Sequence, residues 1–301
     1  MESYFLGANT KAGFFSLYGD FPPEGAYLHI LKGGPGTGKS SLLKAIAKAA
    51  RARGLAVERV LCSGDPDSLD GIYIPALGQA WADGTAPHVL EPKLPGVTGD
   101  YLDLSGYLIL PFSEAEKQEL LSLHAQNREC YELAYKALAD CAAKGGSRTE
   151  PQDEDEVRNL LEALPERGER RTARRCFLSA ISCRGRLRMD DHLSDCVTLQ
   201  ASPASISLAA ELAQERGYKA FLCPSPLDPK IPEALVLPEE KLVLKAVFMP
   251  SEEASDALRE AISRLHEAKR LHDRMELVYR PHMDFRSLSE YTEQLIRKLF
   301  L

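Results

Sequence analysis

Residues 33–40 read Gly-Gly-Pro-Gly-Thr-Gly-Lys-Ser, and few folds can house that run. Glycines at these places let the backbone curl until successive N–H groups point inward and form an anion nest. The nest works best where a strand enters the loop and a helix leaves it, because a helix N-terminus adds unsatisfied N–H groups and partial positive charge. The flanking sequence supplies both. Tyr27-Leu-His-Ile-Leu31 is apolar and β-prone. Past the loop, Leu42, Leu43, Ile46 and Ala50 recur at helical spacing, with Lys44, Lys48 and Arg51 on other faces. Gly54 is a helix stop, and Val57–Cys62 reads as a second strand. Strand, loop, helix and strand make the βαβ unit from which parallel sheets are built.

The spacing Gly33-x-x-x-x-Gly38-Lys39-Ser40 is that of a P-loop. Gly33, Gly34, Pro35, Gly36, Thr37, Gly38, Lys39, Ser40 and Ser41 are therefore expected to surround the phosphates of ATP, with GTP as the alternative. The chain has no Asn-Lys-x-Asp guanine-reading motif, which favours ATP. Lys39 would bring a mobile cation to the β- and γ-phosphates, and the Ser40 hydroxyl is a natural Mg²⁺ ligand. Such chemistry also wants a carboxylate at the end of a neighbouring strand. Asp83, closing Ala80-Trp-Ala-Asp83, is one candidate, as metal partner of Ser40 and as a catalytic group beside Lys39. Asp65 is the other catalytic candidate; with Asp67 and Asp70 it follows the Cys62 strand at its C-terminal end, where open α/β sheets bind ligands. Glu91 is a third possible carboxylate, and each of these also reads as an ordinary loop or cap residue. His88, next to Pro87, reads either as a phosphate or base contact or as a hydrogen-bonded loop histidine.

At 301 residues, 44% hydrophobic and 27% charged, the chain has room for about two globular domains. A net charge of −7 does not favour nucleic acid or an anionic membrane as partner. Seven scattered cysteines with no C-x-x-C pair read as reduced thiols and give zinc ligation little support. The N-terminus lacks a signal-peptide pattern, and no apolar run approaches the roughly 20 residues of a membrane span. The expected setting is the cytoplasm.

Residues 1–112 read as the loop-bearing half and 113–171 as a helical insertion. Ser113 and Glu116 form a capping box there, and a flexible tip lies at Lys144–Pro151. Residues 251–301 form C-terminal helices broken at Arg280-Pro281; these helices and the insertion are the places for a protein partner. Arginines crowd 167–188, either as an arginine finger or anion-binding strip or as a solvated face balanced by Asp153–Glu156, Glu166 and Glu169. Between insertion and C-terminal helices, residues 172–250 echo the first half. Phe177–Gly185 resembles Phe5–Gly13, and Leu208–Gly217 resembles Ala45–Gly54; each of the latter is followed by a strand ending in cysteine, Cys223 or Cys62. Where the first half has its glycine loop, the second has Leu199-Gln-Ala-Ser-Pro-Ala-Ser-Ile-Ser207, without the glycines or the lysine.

At Gly7–Ser16, Leu31–Ser40, Cys62–Gly71 and Asp83–His88 the chain resembles an uncharacterised bacterial family, found chiefly in Firmicutes, of predicted ATPases with tandem P-loop halves. The resemblance implies an ATP-binding domain and a related second half, with no defined substrate. That second half usually has its own glycine loop, and this chain departs there. The loop wording also looks like AAA-type ATPases, but no hydrophobic strand ends in paired acidic residues. The expected fold is thus α/β and P-loop NTPase-like, with three αβα layers and a mostly parallel sheet. A second half without the motif, the helical insertion and the C-terminal helices complete it. The expected function is Mg²⁺-dependent ATP hydrolysis. Alternatives are a small-molecule or nucleotide kinase, with the Asp65–Asp70 loop placing an acceptor hydroxyl, and a non-catalytic, nucleotide-gated module that binds protein or nucleic acid.

Overall fold

The computed structural model describes residues 1–144, 146–147, 154–246, 248–249 and 251–301. Strands β1 (Ser3–Phe5), β2 (Gly7–Thr10), β3 (Gly13–Ser16) and β4 (Tyr27–Lys32) lead into helix α1 (Lys39–Arg51). Then come β5 (Glu58–Leu61), β6 (Leu69–Ile74), β7 (Gln79–Asp83), β8 (Gly99–Asp103) and the long helix α2 (Glu114–Lys144). β9 (Gly146–Ser147), α3 (Glu154–Ala163), β10 (Arg174–Arg175), β11 (Ser179–Ser182), β12 (Gly185–Arg188) and β13 (Val197–Gln200) precede α4 (Pro203–Glu215). Last are β14 (Phe221–Pro224), β15 (Pro232–Leu237), β16 (Leu242–Lys245), β17 (Phe248–Met249), α5 (Glu252–Tyr279) and α6 (Phe285–Leu299). The chain is α/β with mixed sheets, and the tip expected between 144 and 151 falls largely outside the described residues. Among those described, no helix is long and apolar enough to cross a membrane.

Residues 21–133 and 263–301 form one compact unit, and 3–20 and 134–262 another. In the first, five strands run in the order β5-β6-β7-β4-β8. β4 pairs in parallel with both β7 and β8, whereas β6 is antiparallel to β5 and β7. The sheet is therefore mixed around one reversed strand. The connections explain the reversal: residues 62–68 and 75–78 are too short for the crossover that parallel neighbours need. β4, α1 and β5 do form a crossover, but β6 and β7 fill the space between the two strands, and α1 packs across them. Ile30, Leu31, Leu42, Leu43, Ile46, Ile72, Ile74 and Trp81 are buried in this unit. The early turns of α2 meet the later turns of α5 through Leu123, Cys130, Ala268, Leu271 and Met275.

The second unit has a sheet in the order β10-β14-β15-β16-β13. Its last four strands repeat the pattern of β5-β6-β7-β4, with two antiparallel pairs and then a parallel one. Matching turns carry the repeat into single residues. Gly54 and Gly217 both end a helix in the left-handed region, at φ 74° and 75°. Gly78 and Lys241 close equivalent turns at φ 60° and 51°, and their carbonyls accept from Tyr27 and Val197. Thr10 and Ser182 bond the carbonyls of Gly13 and Gly185 across equivalent hairpins. This register corrects one pairing drawn from sequence. Cys223 lies across from Ala234 as Val60 does from Gly71, while Cys62 and Ser225 hold the same turn position through N–H bonds to Ser68 and Ile231. Within this unit the equivalent Phe5 and Phe177 bond each other reciprocally, N to O, at 2.9 and 2.8 Å.

Ser113 and Glu116 do form the capping box: the Glu116 carboxylate accepts from Ser113 N–H and hydroxyl at 2.7 and 2.6 Å, and Ser113 Oγ accepts from Glu116 N–H at 3.3 Å. The Ser113 bonds, joined by His282 at 3.0 Å, pull the Glu116 pKa down to about 2. A carboxyl depressed on folding stabilises above its ordinary value of 4.5 and loses that effect as pH falls towards 2. Urea denaturation of wild type and Glu116→Gln should show the wild type more stable at pH 6, with the gap closing by pH 2–3. A gap that does not change with pH would remove this role for the ionised carboxylate.

Candidate phosphate-loop site

β4 ends at Lys32 and α1 begins at Lys39, so Gly33–Gly38 forms the whole connection. Gly33, Gly36 and Gly38 have φ of 150°, 69° and 94°, left-handed values that strain any residue with a Cβ. Gly38 is the residue before α1, and no side chain caps that first turn. Every helix start leaves N–H groups without an internal partner. Here they adjoin the curled glycines, as anion binding requires. The buried Thr37 hydroxyl donates to Gly34 O at 2.9 Å and staples the loop from inside.

Packing imposes glycine as well. A Cβ on Gly34 would stand 2.6 Å from the Tyr279 ring, one on Gly36 3.1 Å from the Glu276 main chain, and one on Gly38 2.9 Å from Leu288 Cδ2. The end of α5 and the start of α6 thus back the loop directly. No local sequence signal linked these helices to residues 33–38, which are more than 200 positions away in the chain.

The Lys39 ammonium donates to the carbonyls of Gly33 and Gly34 at 2.6 and 2.9 Å and sits 3.7 Å from Asp83 Oδ2. Asp83 ends β7 opposite Leu31 of the parallel neighbour β4, which sets it beside the loop. Its Oδ1 accepts from the N–H and hydroxyl of Thr85 at 2.8 and 2.6 Å, so the carboxylate is fixed in direction. The Asp-Gly-Thr spelling of 83–85 was the available signal for this turn. Ser40 Oγ accepts from Leu69 N–H at 2.9 Å, tying α1 to the start of β6.

The other candidates have different direct partners. Asp65 pairs with Lys269 of α5 at 3.3 Å and accepts from Asp67 N–H at 3.2 Å. Glu91 is exposed, accepts from Tyr101 and lies 3.6 Å from Lys32. His88 is a buried loop histidine with Nε2 3.2 Å from Asp70 Oδ2. Burial alone would lower the His88 pKa, but Asp70, with help from Asp83, overcomes it and raises the pKa. Four of the arginines of 167–188 pair with acids outside the nearby acidic run. Arg167 pairs with Glu240, Arg175 with Asp20, and Arg186 and Arg188 with the buried Glu233.

Between β13 and α4 the second unit has no such loop. Counting back from the matched glycines 54 and 217, Ser202 stands where Lys39 does, and β13 is separated from α4 only by Ala201 and Ser202. Ser202 Oγ caps the helix by accepting from Ser205 N–H at 3.0 Å, and Pro203 brings no N–H. Comparison with protein families, with curated proteins and with solved structures finds no match to this chain.

Gly38→Ala should destabilise the protein by about 1–3 kcal/mol, the cost of a non-glycine in a disfavoured backbone region. Gly106→Ala, with no atom within 4 Å of its added Cβ, serves as control and should change stability by less than about 0.5 kcal/mol. Equilibrium denaturation of both variants checks this; equal effects would contradict the loop geometry.

Proposed function

We propose that the chain is a P-loop NTPase that binds ATP with Mg²⁺ through Gly33–Ser41 and hydrolyses it. The carrying observation is the glycine loop on the uncapped start of α1, with Lys39 3.7 Å from a strand-end carboxylate, Asp83. Lys39 now bonds two loop carbonyls; a polyphosphate offers it a stronger, charged partner. The loop amides and Lys39 then absorb charge developing on the γ-phosphate. The Ser40 hydroxyl and the Asp83 carboxylate are hard oxygen donors that suit Mg²⁺, which when bound supplies positive charge to the phosphate oxygens. The second unit is a related half that, among its described residues, has no glycine loop between β13 and α4.

Isothermal titration with ATP and GTP, with and without Mg²⁺, tests the reading. Wild type should bind ATP more tightly than GTP and release phosphate. Lys39→Ala should weaken binding about 10- to 100-fold, the worth of a charge-assisted bond of roughly 1.5–3 kcal/mol. Asp83→Asn should retain ATP binding and lose turnover. Wild type that binds neither nucleotide would end the proposal, and ADP formation only with an added acceptor would make the protein a kinase.

A further inference from the structure

β5 and β7 run parallel and β6 runs against them. The end of β5, the start of β6 and the segment after β7 therefore share one edge of the sheet. Three residues from these segments meet there: Cys62, Asp70 and His88, with Sγ, a carboxylate oxygen and an imidazole nitrogen all within 4.8 Å of one another. Asp70 and His88 are buried and Cys62 is half-buried. We propose that this trio is a binding site for a zinc-class transition-metal ion, with three protein ligands and a fourth position open.

The donor set carries the inference. Thiolate and imidazole select borderline-soft metals over Mg²⁺ or Ca²⁺, and a three-ligand N/S/O set leaves the coordination typical of an open zinc site. Two ligands about 2.0–2.1 Å from a tetrahedral ion stand about 3.3 Å apart. His88 Nε2 and Asp70 Oδ2 are 3.2 Å apart already. On binding, the Cys62 thiol gives its proton to solvent and the sulfur becomes a ligand. The site needs no C-x-x-C pair, because three separate segments supply the ligands. Only the fold brings them together.

The site adjoins the Lys39–Asp83 contact, whose charges both act on His88, but its ligands are other residues, so its test omits nucleotide and Mg²⁺. The full chain, stripped with chelator, is titrated with Co²⁺ and followed by absorption. Wild type should take up one Co²⁺ per chain, with strong tetrahedral visible bands and a near-ultraviolet thiolate-to-cobalt band, and Zn²⁺ should displace it. Cys62→Ser should lose the thiolate band. His88→Gln should weaken binding by more than about 100-fold, since even outer-shell partners are worth 10- to 100-fold. Folding of each variant is checked by circular dichroism, and the wild-type spectrum decides the matter if a variant fails to fold. A folded wild type without the thiolate band, or a band undiminished in Cys62→Ser, overturns the proposal.

Discussion

Every helix must begin with N–H groups that have no partner inside it, and this molecule answers that constraint in two ways. α4 closes its start with Ser202 and with the missing N–H of Pro203. α1 keeps its start uncapped and places it beside glycines that only a Cβ-free residue can occupy. The repeat makes the contrast sharp. Tyr27 and Val197 begin equivalent strands, and Lys39 and Ser202 are equivalent helix starts. Residues 28–38 lie between Tyr27 and Lys39, and only 198–201 between Val197 and Ser202. The second half therefore retains the sheet pattern and the helix but has no glycine connection between β13 and α4.

An open helix start needs support from outside, because a glycine-rich connection gains little order from itself. Glycine loses more conformational freedom on folding than any other residue. The backing by Tyr279, Glu276 and Leu288 supplies that support, which gives the C-terminal helices a function beyond completing a core. It also couples the loop to α5 and α6: a shift of the Gly34 or Gly36 backbone has to move against an aromatic ring or a helix main chain.

The local parts of this arrangement were legible in the sequence. Strand, loop, helix and stop are encoded by neighbours a few residues apart, and the Ser113–Glu116 box is likewise local. Asp83 could be named because it ends an apolar run, and its bond from Thr85 follows from the turn spelling. The rest depended on contacts between distant segments. Asp65 looked like a site carboxylate from its position after a strand, but Lys269 on a helix two hundred positions later takes it up. The arginine cluster read either as an anion-binding strip or as a face balanced by the nearest acids, whereas Arg186 and Arg188 meet the buried Glu233. The reversed strands β6 and β15 were invisible to periodicity and followed only from the short connections around them.

The repeat also shows why the Cys62–Asp70–His88 corner differs from ordinary hydrogen bonding. Asp70 and Glu233 occupy equivalent positions, one residue before Gly71 and Ala234 in matched strand pairs, and both are buried. A buried carboxylate is costly unless charge or hydrogen bonds compensate it. Glu233 is met by the Ser179 hydroxyl at 2.7 Å and by two guanidinium groups, which have no lone pair to offer a metal cation and hold the carboxylate with fixed charge. Asp70 meets an imidazole and a thiol, both of which can exchange a proton for a metal ion. One buried acid, placed twice by the same fold, is thus locked by fixed positive charge in one half. In the other it is left among groups whose charge depends on what they bind.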